Sequence, residues 1–173
     1  SYSDPANMIS YTSGEGWDPI GVGVSGSEFS GTFHGNGYTV SNLFINNTND
    51  EEVGLFGVAE NSTISDIGIV NANITATSGA GILVSWNNGT GAIIENSYTT
   101  GSVTGYDNVG GLVGTNQNGA INNSYSTGSV TASGDNAGGL VGYNAGVIDL
   151  SFSLSNTDGF TSVGGLVGSN GGT

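Results

Sequence analysis

The chain holds one histidine, His34, and fourteen carboxylates, with no lysine, arginine or cysteine. That inventory decides much of the chemistry before any element is placed. Without cysteine there is neither a thiolate nucleophile nor a thiolate metal site. A polysaccharide lyase needs a basic side chain to take the proton and neutralise the uronate, and only His34 could serve. A glycosidase needs two carboxylates facing each other across roughly 5–10 Å. Asp149 with Asp158, or Asp107 with Asp135, are the pairs to consider, but these acids stand singly at expected turns. The expectation is that the chain is not an enzyme, has no catalytic residue, and uses His34 in a turn rather than as a base or ligand.

Two further sets have a spacing that could bind something. Asp107 and Asp135 lie 28 apart, each three residues before a Gly-Gly pair, and Glu51 stands three before Gly54. Stacked along one edge, such carboxylates would repel one another. A Ca²⁺ ion would relieve that repulsion; simple solvation as turn residues is the commoner outcome, and no other cofactor is implied. Tyr98, Tyr125 and Phe152 recur every 27 residues. Aligning Ile67 and Ile69 with Ser97 and Thr99 turns these rings outward, as a stack suited to sugar rings or a neighbouring subunit. Strict alternation from Ile121 turns Tyr125 inward instead. A corner between them decides, and the outward direction is the expectation.

Composition closes other routes. The formal charge is -14, yet only 8% of residues are charged, so the surface must be mostly Asn, Ser, Thr and Gly. Nucleic-acid binding, which relies on Lys and Arg against phosphates, is excluded. Anionic membrane surfaces are excluded for the same reason, and no apolar run approaches the roughly 20 residues of a membrane span.

The elements that must position these residues follow from repetition. "GGLVGTN" (110–116), "GGLVGYN" (138–144) and "GGLVGSN" (164–170) are near-copies, with "GILVSWN" (81–87) and "VGLFGVAEN" (53–61) as diverged ones. "IENSYTTGSVT" (94–104) recurs as "INNSYSTGSVT" (121–131) and "IDLSFSLSN" (148–156). A period of about 27 residues points to a stacked architecture. Thirty-three glycines argue against helices. Short runs between Gly and Asn turns read as strands of three to five residues, three per unit. The fold class is therefore all-β, a parallel β-helix of about 27 residues and three short strands per coil.

Like positions then stack on like. Leu83, Leu112, Leu140 and Leu166 form one interior ladder, Ile94, Ile121 and Ile148 a second, Val103 and Val130 a third. Asn87, Asn116, Asn144 and Asn170 fall just after the leucine positions, either as an amide ladder from coil to coil or as ordinary turn residues. Residues 1–50, with "FSGTFHGNGYTVSNLFI" (29–45), read as a leading coil and 51–173 as repeat coils of one domain spanning 1–173.

"GGLVGxN" followed by "NSYxTGSVT" resembles the GLUG repeat of bacterial and archaeal surface proteins. "WDPIG", "FSGTFHGNGYTVSNLFI" and "VGLFG" resemble the segment that leads into it, so the resemblance covers about 16–170. It implies a β-helical stalk or binding surface in a secreted or cell-surface protein. Two departures stand out: His34 replaces the usual Asp, and "GILVSWN" lacks the last Gly and carries Trp86. The expected role is a non-enzymatic extracellular structural or adhesive β-helix, as a stalk or as the subunit of a self-assembling fibre. A carbohydrate-binding module is the alternative, and a polysaccharide-acting enzyme a distant one. Both ends of the repeat read as uncapped edges, so the expected partners are another copy end to end, the continuation of a longer chain, or glycans.

Overall fold

A computed structural model describes residues 14–21, 26–47 and 52–173. Among them there is no helix, and the strands wind into five coils. The first coil holds β1 (Thr32–His34), β2 (Thr39–Ser41), β3 (Phe44–Asn47), β4 (Glu52–Val53) and β5 (Phe56–Glu60). The second holds β6 (Thr63–Ser65), β7 (Gly68–Ala76), β8 (Gly79–Gly81) and β9 (Val84–Asn88). The third holds β10 (Ile93–Glu95), β11 (Tyr98–Gly105), β12 (Val109–Gly110) and β13 (Val113–Gln117). The fourth holds β14 (Ala120–Asn122), β15 (Tyr125–Gly138) and β16 (Val141–Asn144). The fifth holds β17 (Val147–Asp149), β18 (Phe152–Gly164) and β19 (Val167–Asn170).

Named strands pair in parallel with the coils above and below, giving three sheets: β1-β6-β10-β14-β17, the long sheet around β7, β11, β15 and β18, and β5-β9-β13-β16-β19. The chain is a parallel β-helix. The strands of the middle sheet run longer than three to five residues, reaching 14 in β15. Gly101 and Gly128, at φ 130° and 129°, belong to these long strands, whose ladder continues past both residues.

The repeated heptad is explained by crowding. A Cβ on Gly81, Gly110, Gly138 or Gly164 would overlap the carbonyl oxygen of the valine three residues on. One on Gly111 or Gly139 would overlap the backbone of the corresponding glycine in the next coil. The leucine lies in the bend rather than on a strand, so Leu112 and the adjacent Val113 both point inward at 0% exposure. The corner breaks the alternation that a continuous strand would impose.

Leu83, Leu112 and Leu140 stack in the interior with Leu55, Ile94 and Ile121 with Ile64, and Val103 and Val130 with Ile74 and Ile45. Leu166 and Ile148 share these columns but lie in the fifth coil, with no described coil above them. Leu166 is therefore 39% exposed and Ile148 half-buried, so neither is fully interior. At the other end, Trp17 donates its indole N–H to Leu55 O at 3.3 Å, and Phe29 and Phe33 pack on Phe56 with ring centroids at 4.9 and 5.4 Å. The strands opened by β1 close with β5, which places Val53–Glu60 in the same coil as Thr32–Asn47.

Candidate binding face

The corner that decides the aromatic direction sits at Asn96, Asn123 and Leu150. All three adopt left-handed backbone, at φ 49°, 46° and 48°. This resets the alternation: Ile121 points in, Asn123 turns, Ser124 points in again and Tyr125 points out. Thr99 and Ser126, next to the tyrosines, are fully buried, and their hydroxyls donate to Gly111 O at 2.6 Å and Gly139 O at 2.5 Å. The two repeated motifs thus meet across the interior.

Tyr98, Tyr125 and Phe152 are in register and stack with centroids 5.1 and 5.0 Å apart and planes 5° from parallel. Gly68 occupies the same column below them, and a Cβ there would overlap the Tyr98 ring. Both faces of Tyr125 are therefore covered by neighbouring rings, and Tyr98 lies between Tyr125 and the Gly68 backbone. Sugar-ring stacking needs a free face, and in this column Phe152 alone has no described ring above it. The rings present edges to a groove of about 340 Å³ lined also by Asn96, Ser97, Asn123 and Leu150.

The Asn column is a continuous amide ladder. Asn87 donates to Asn116 Oδ1, Asn116 to Asn144 Oδ1 and Asn144 to Asn170 Oδ1, each at 2.8 Å. The first three are buried. Asn87 Oδ1 has no hydrogen-bond partner, because the residue in register below it is Ala59.

Two companion ladders escaped the sequence reading. Asn123 donates to Asn96 Oδ1 at 2.6 Å, and Asn96 to Asp66 Oδ1 at 3.3 Å. Beside them, the amides of Ser97 and Ser124 donate to the hydroxyls of Ser124 and Ser151 at 3.2 and 3.1 Å. The "NSY" recurrence at spacing 27 was the available signal for both.

Among the described residues the acids do not converge. Asp107 Oδ1 accepts the amide of Asp135 at 2.5 Å, and the Asp135 carboxylate accepts from the Thr161 hydroxyl. Among the described residues no three His, Cys, Asp or Glu side chains gather as a metal site. Glu51 lies outside the described residues. Asp149 and Asp158 belong to different sheets. His34 is a strand residue, not a turn residue, and its Nδ1 lies 2.6 Å from Ser65 Oγ. Glu95 is in register with Ser65 on the side away from His34. An acid that oriented the imidazole would have to contact the ring, and Ser65 is 1% exposed, so this trio lacks the geometry of acyl transfer.

Residues 105–131 match the family model described as the GLUG motif. Over 96 residues the chain is 41% identical to Halomucin of Haloquadratum walsbyi, a match covering 55% of this chain and 1% of that protein. Over 99 residues it is 36% identical to a provisionally named Gly-rich membrane protein of Evansella cellulosilytica, covering 57% of this chain and 10% of the relative. The chain thus matches only a small part of either curated relative. A crystal structure of a provisionally assigned immunoglobulin A1 protease from Bacteroides ovatus superposes with a TM-score of 0.60 at 23% identity, covering 84% of this chain and 57% of that one. That likeness is one of fold.

Proposed function

We propose that this GLUG-motif β-helix is a non-catalytic structural segment of an extracellular or cell-surface protein, a stalk that holds other parts at a distance. One observation carries the reading: the repeated side chains are engaged in stacking coil on coil. Leu112 and Ile121 are buried in ladders, Asn116 bonds to the asparagines above and below, and Tyr98 and Tyr125 cover each other's faces. A site for chemistry would hold reactive groups free of such partners. The similarity to Halomucin and to a Gly-rich membrane protein supports a surface location.

Each coil adds roughly 4.8 Å of height, and backbone hydrogen bonds make the rise rigid, so repetition converts chain length into a stiff rod. Electron microscopy and turnover assays on neutral and acidic polysaccharides test the reading together. Discrete particles that do not grow into filaments, without turnover, are expected. Turnover that disappears in Ser65→Ala, the buried partner of His34, would overturn it. Filaments growing from purified chain would replace the stalk with the fibre subunit.

A further inference from the structure

The coil built from β1 to β5 does not end in the open edges expected of it. Chain that precedes β1 in sequence lies beneath two of its strands. Along β3 this chain runs antiparallel, through the Gly16–Ile45 bridge. Asn46 N–H donates to Glu15 O at 2.7 Å, and Trp17 N–H to Phe44 O at 2.8 Å. Along β5 it runs parallel, through the bridges Ile20–Phe56 and Phe29–Ala59. There the amides of Gly57, Val58 and Glu60 donate to Ile20 O, Gly21 O and Phe29 O at 2.8, 2.8 and 2.9 Å. Leu55 O and Val58 O accept from the amides of Ile20 and Phe29 at 3.0 and 2.9 Å.

The segment uses up these edges without offering an equivalent one. Among the described residues, isolated bridges stand where β5 would otherwise meet a full strand, and the crossing under β3 is antiparallel in a stack whose named strands are parallel. Pro19, within the stretch, has no N–H to give. Asp18 beside it is exposed, and a second copy has no Lys or Arg to meet its charge. Proline, charge and interrupted pairing are the means by which sheet edges are kept from joining. The other edge strands β1 and β2 have three residues each, and very short edges pair poorly.

The seat of the segment is closely fitted. Gly16 and Gly21 hold φ 87° and 78°; an added Cβ would overlap Phe44 O at the first and crowd Phe29 N and Val58 O at the second. The Trp17 indole bonds to Leu55 O, and Trp17 and Phe29 pack against the core. The natural competitor for the covered edges is another copy, because like coils pair with like. We propose that residues 15–21, with Phe29, cap this end of the helix and keep β3 and β5 from pairing with the strands of a second copy. The cap concerns pairing at that end, whatever larger protein the helix belongs to.

The test compares whole chains by sedimentation velocity in about 1 M salt, where repulsion between copies is screened. Gly16→Val/Gly21→Val is aimed at the fit of the segment. Hydrogen exchange at the amides of Asn46, Gly57 and Glu60 reports its release, with the Leu83 and Leu112 amides, bonded between later coils, as the reference. The variant should exchange the three amides at least about tenfold faster than wild type, keep the reference amides protected, and assemble with rising concentration where wild type does not. Released amides in a chain that associates no more than wild type would overturn the proposal. Gly128→Ala, within β15 and outside the cap, separates capping from general destabilisation: assembly equal to that of the double variant would overturn it as well. If the double variant fails to fold, Trp17→Ser replaces it in each arm.

Discussion

At the scale of single residues, position 150 sets backbone preference against side-chain identity. A leucine in left-handed backbone costs roughly 1–2 kcal/mol, and its 79% exposure returns nothing to the core. Leu150→Asn removes the strain and brings an amide within the column of Asn123, whose own amide bonds downward to Asn96. The variant should gain about 1 kcal/mol, read as a higher urea midpoint at unchanged m-value; an unchanged or lower midpoint would show that the leucine packs favourably as it stands. The buried asparagines predict the opposite sign. Asn116 accepts from Asn87 and donates to Asn144 and to Gly119 O. Asn116→Ala leaves the Asn87 amide buried without that acceptor and should cost about 2 kcal/mol or more. Asn170→Ala, at the exposed end of the ladder with one bond, should cost less than about 1 kcal/mol. Equal losses would mean that the ladder does not act through burial. The column itself was legible from spacing. Its hydrogen bonding was not, because a turn Asn and a ladder Asn give the same sequence pattern.

At the scale of elements, crowding and backbone conformation together decide which glycines the coils require. Gly128 holds φ 129°, and a Cβ there would overlap the Gly101 carbonyl of the coil below. Gly165 has neither positive φ nor any atom within 4 Å of an added Cβ. Gly128→Ala should therefore lower stability by roughly 1–3 kcal/mol or more, while Gly165→Ala stays neutral or stabilises slightly. Thermal melts of the two variants side by side check this, and similar shifts would refute the joint role of close approach and positive φ. The coils, their period and the ladders of Leu112, Ile121 and Val130 could be read from the sequence because stacking forces like onto like. Three features could not. The left-handed corner at Asn123 resets the alternation, so the direction of Tyr125 depended on a backbone angle that no periodicity reports. The register of β1 on β6, which sets His34 beside Ser65, crosses a poorly repeated coil. The mutual stacking that closes the ring faces needs the third dimension, since spacing alone reads equally as an open sugar platform.

At the scale of the whole molecule, the charge of -14 with no Lys or Arg fixes the sign of its salt response. In most proteins salt screens attractions and repulsions together. Here almost all charge–charge terms are repulsive, so screening can only relieve them. The screening length falls from roughly 10 Å at 0.1 M to about 3 Å at 1 M, and the melting temperature should rise steadily over that range. A fall would require an attractive network that the composition does not contain. Divalent ions separate general screening from a specific site. One oxygen of Asp107 already accepts the Asp135 amide, and the Asp135 carboxylate accepts from Thr161. These contacts tie the carboxylates to successive coils rather than converging them on one point. At matched ionic strength, CaCl₂ and MgCl₂ should therefore raise the melting temperature equally. A rise specific to millimolar Ca²⁺ and lost in Asp107→Asn would instead establish the edge formed by Asp107 and Asp135 as a calcium site.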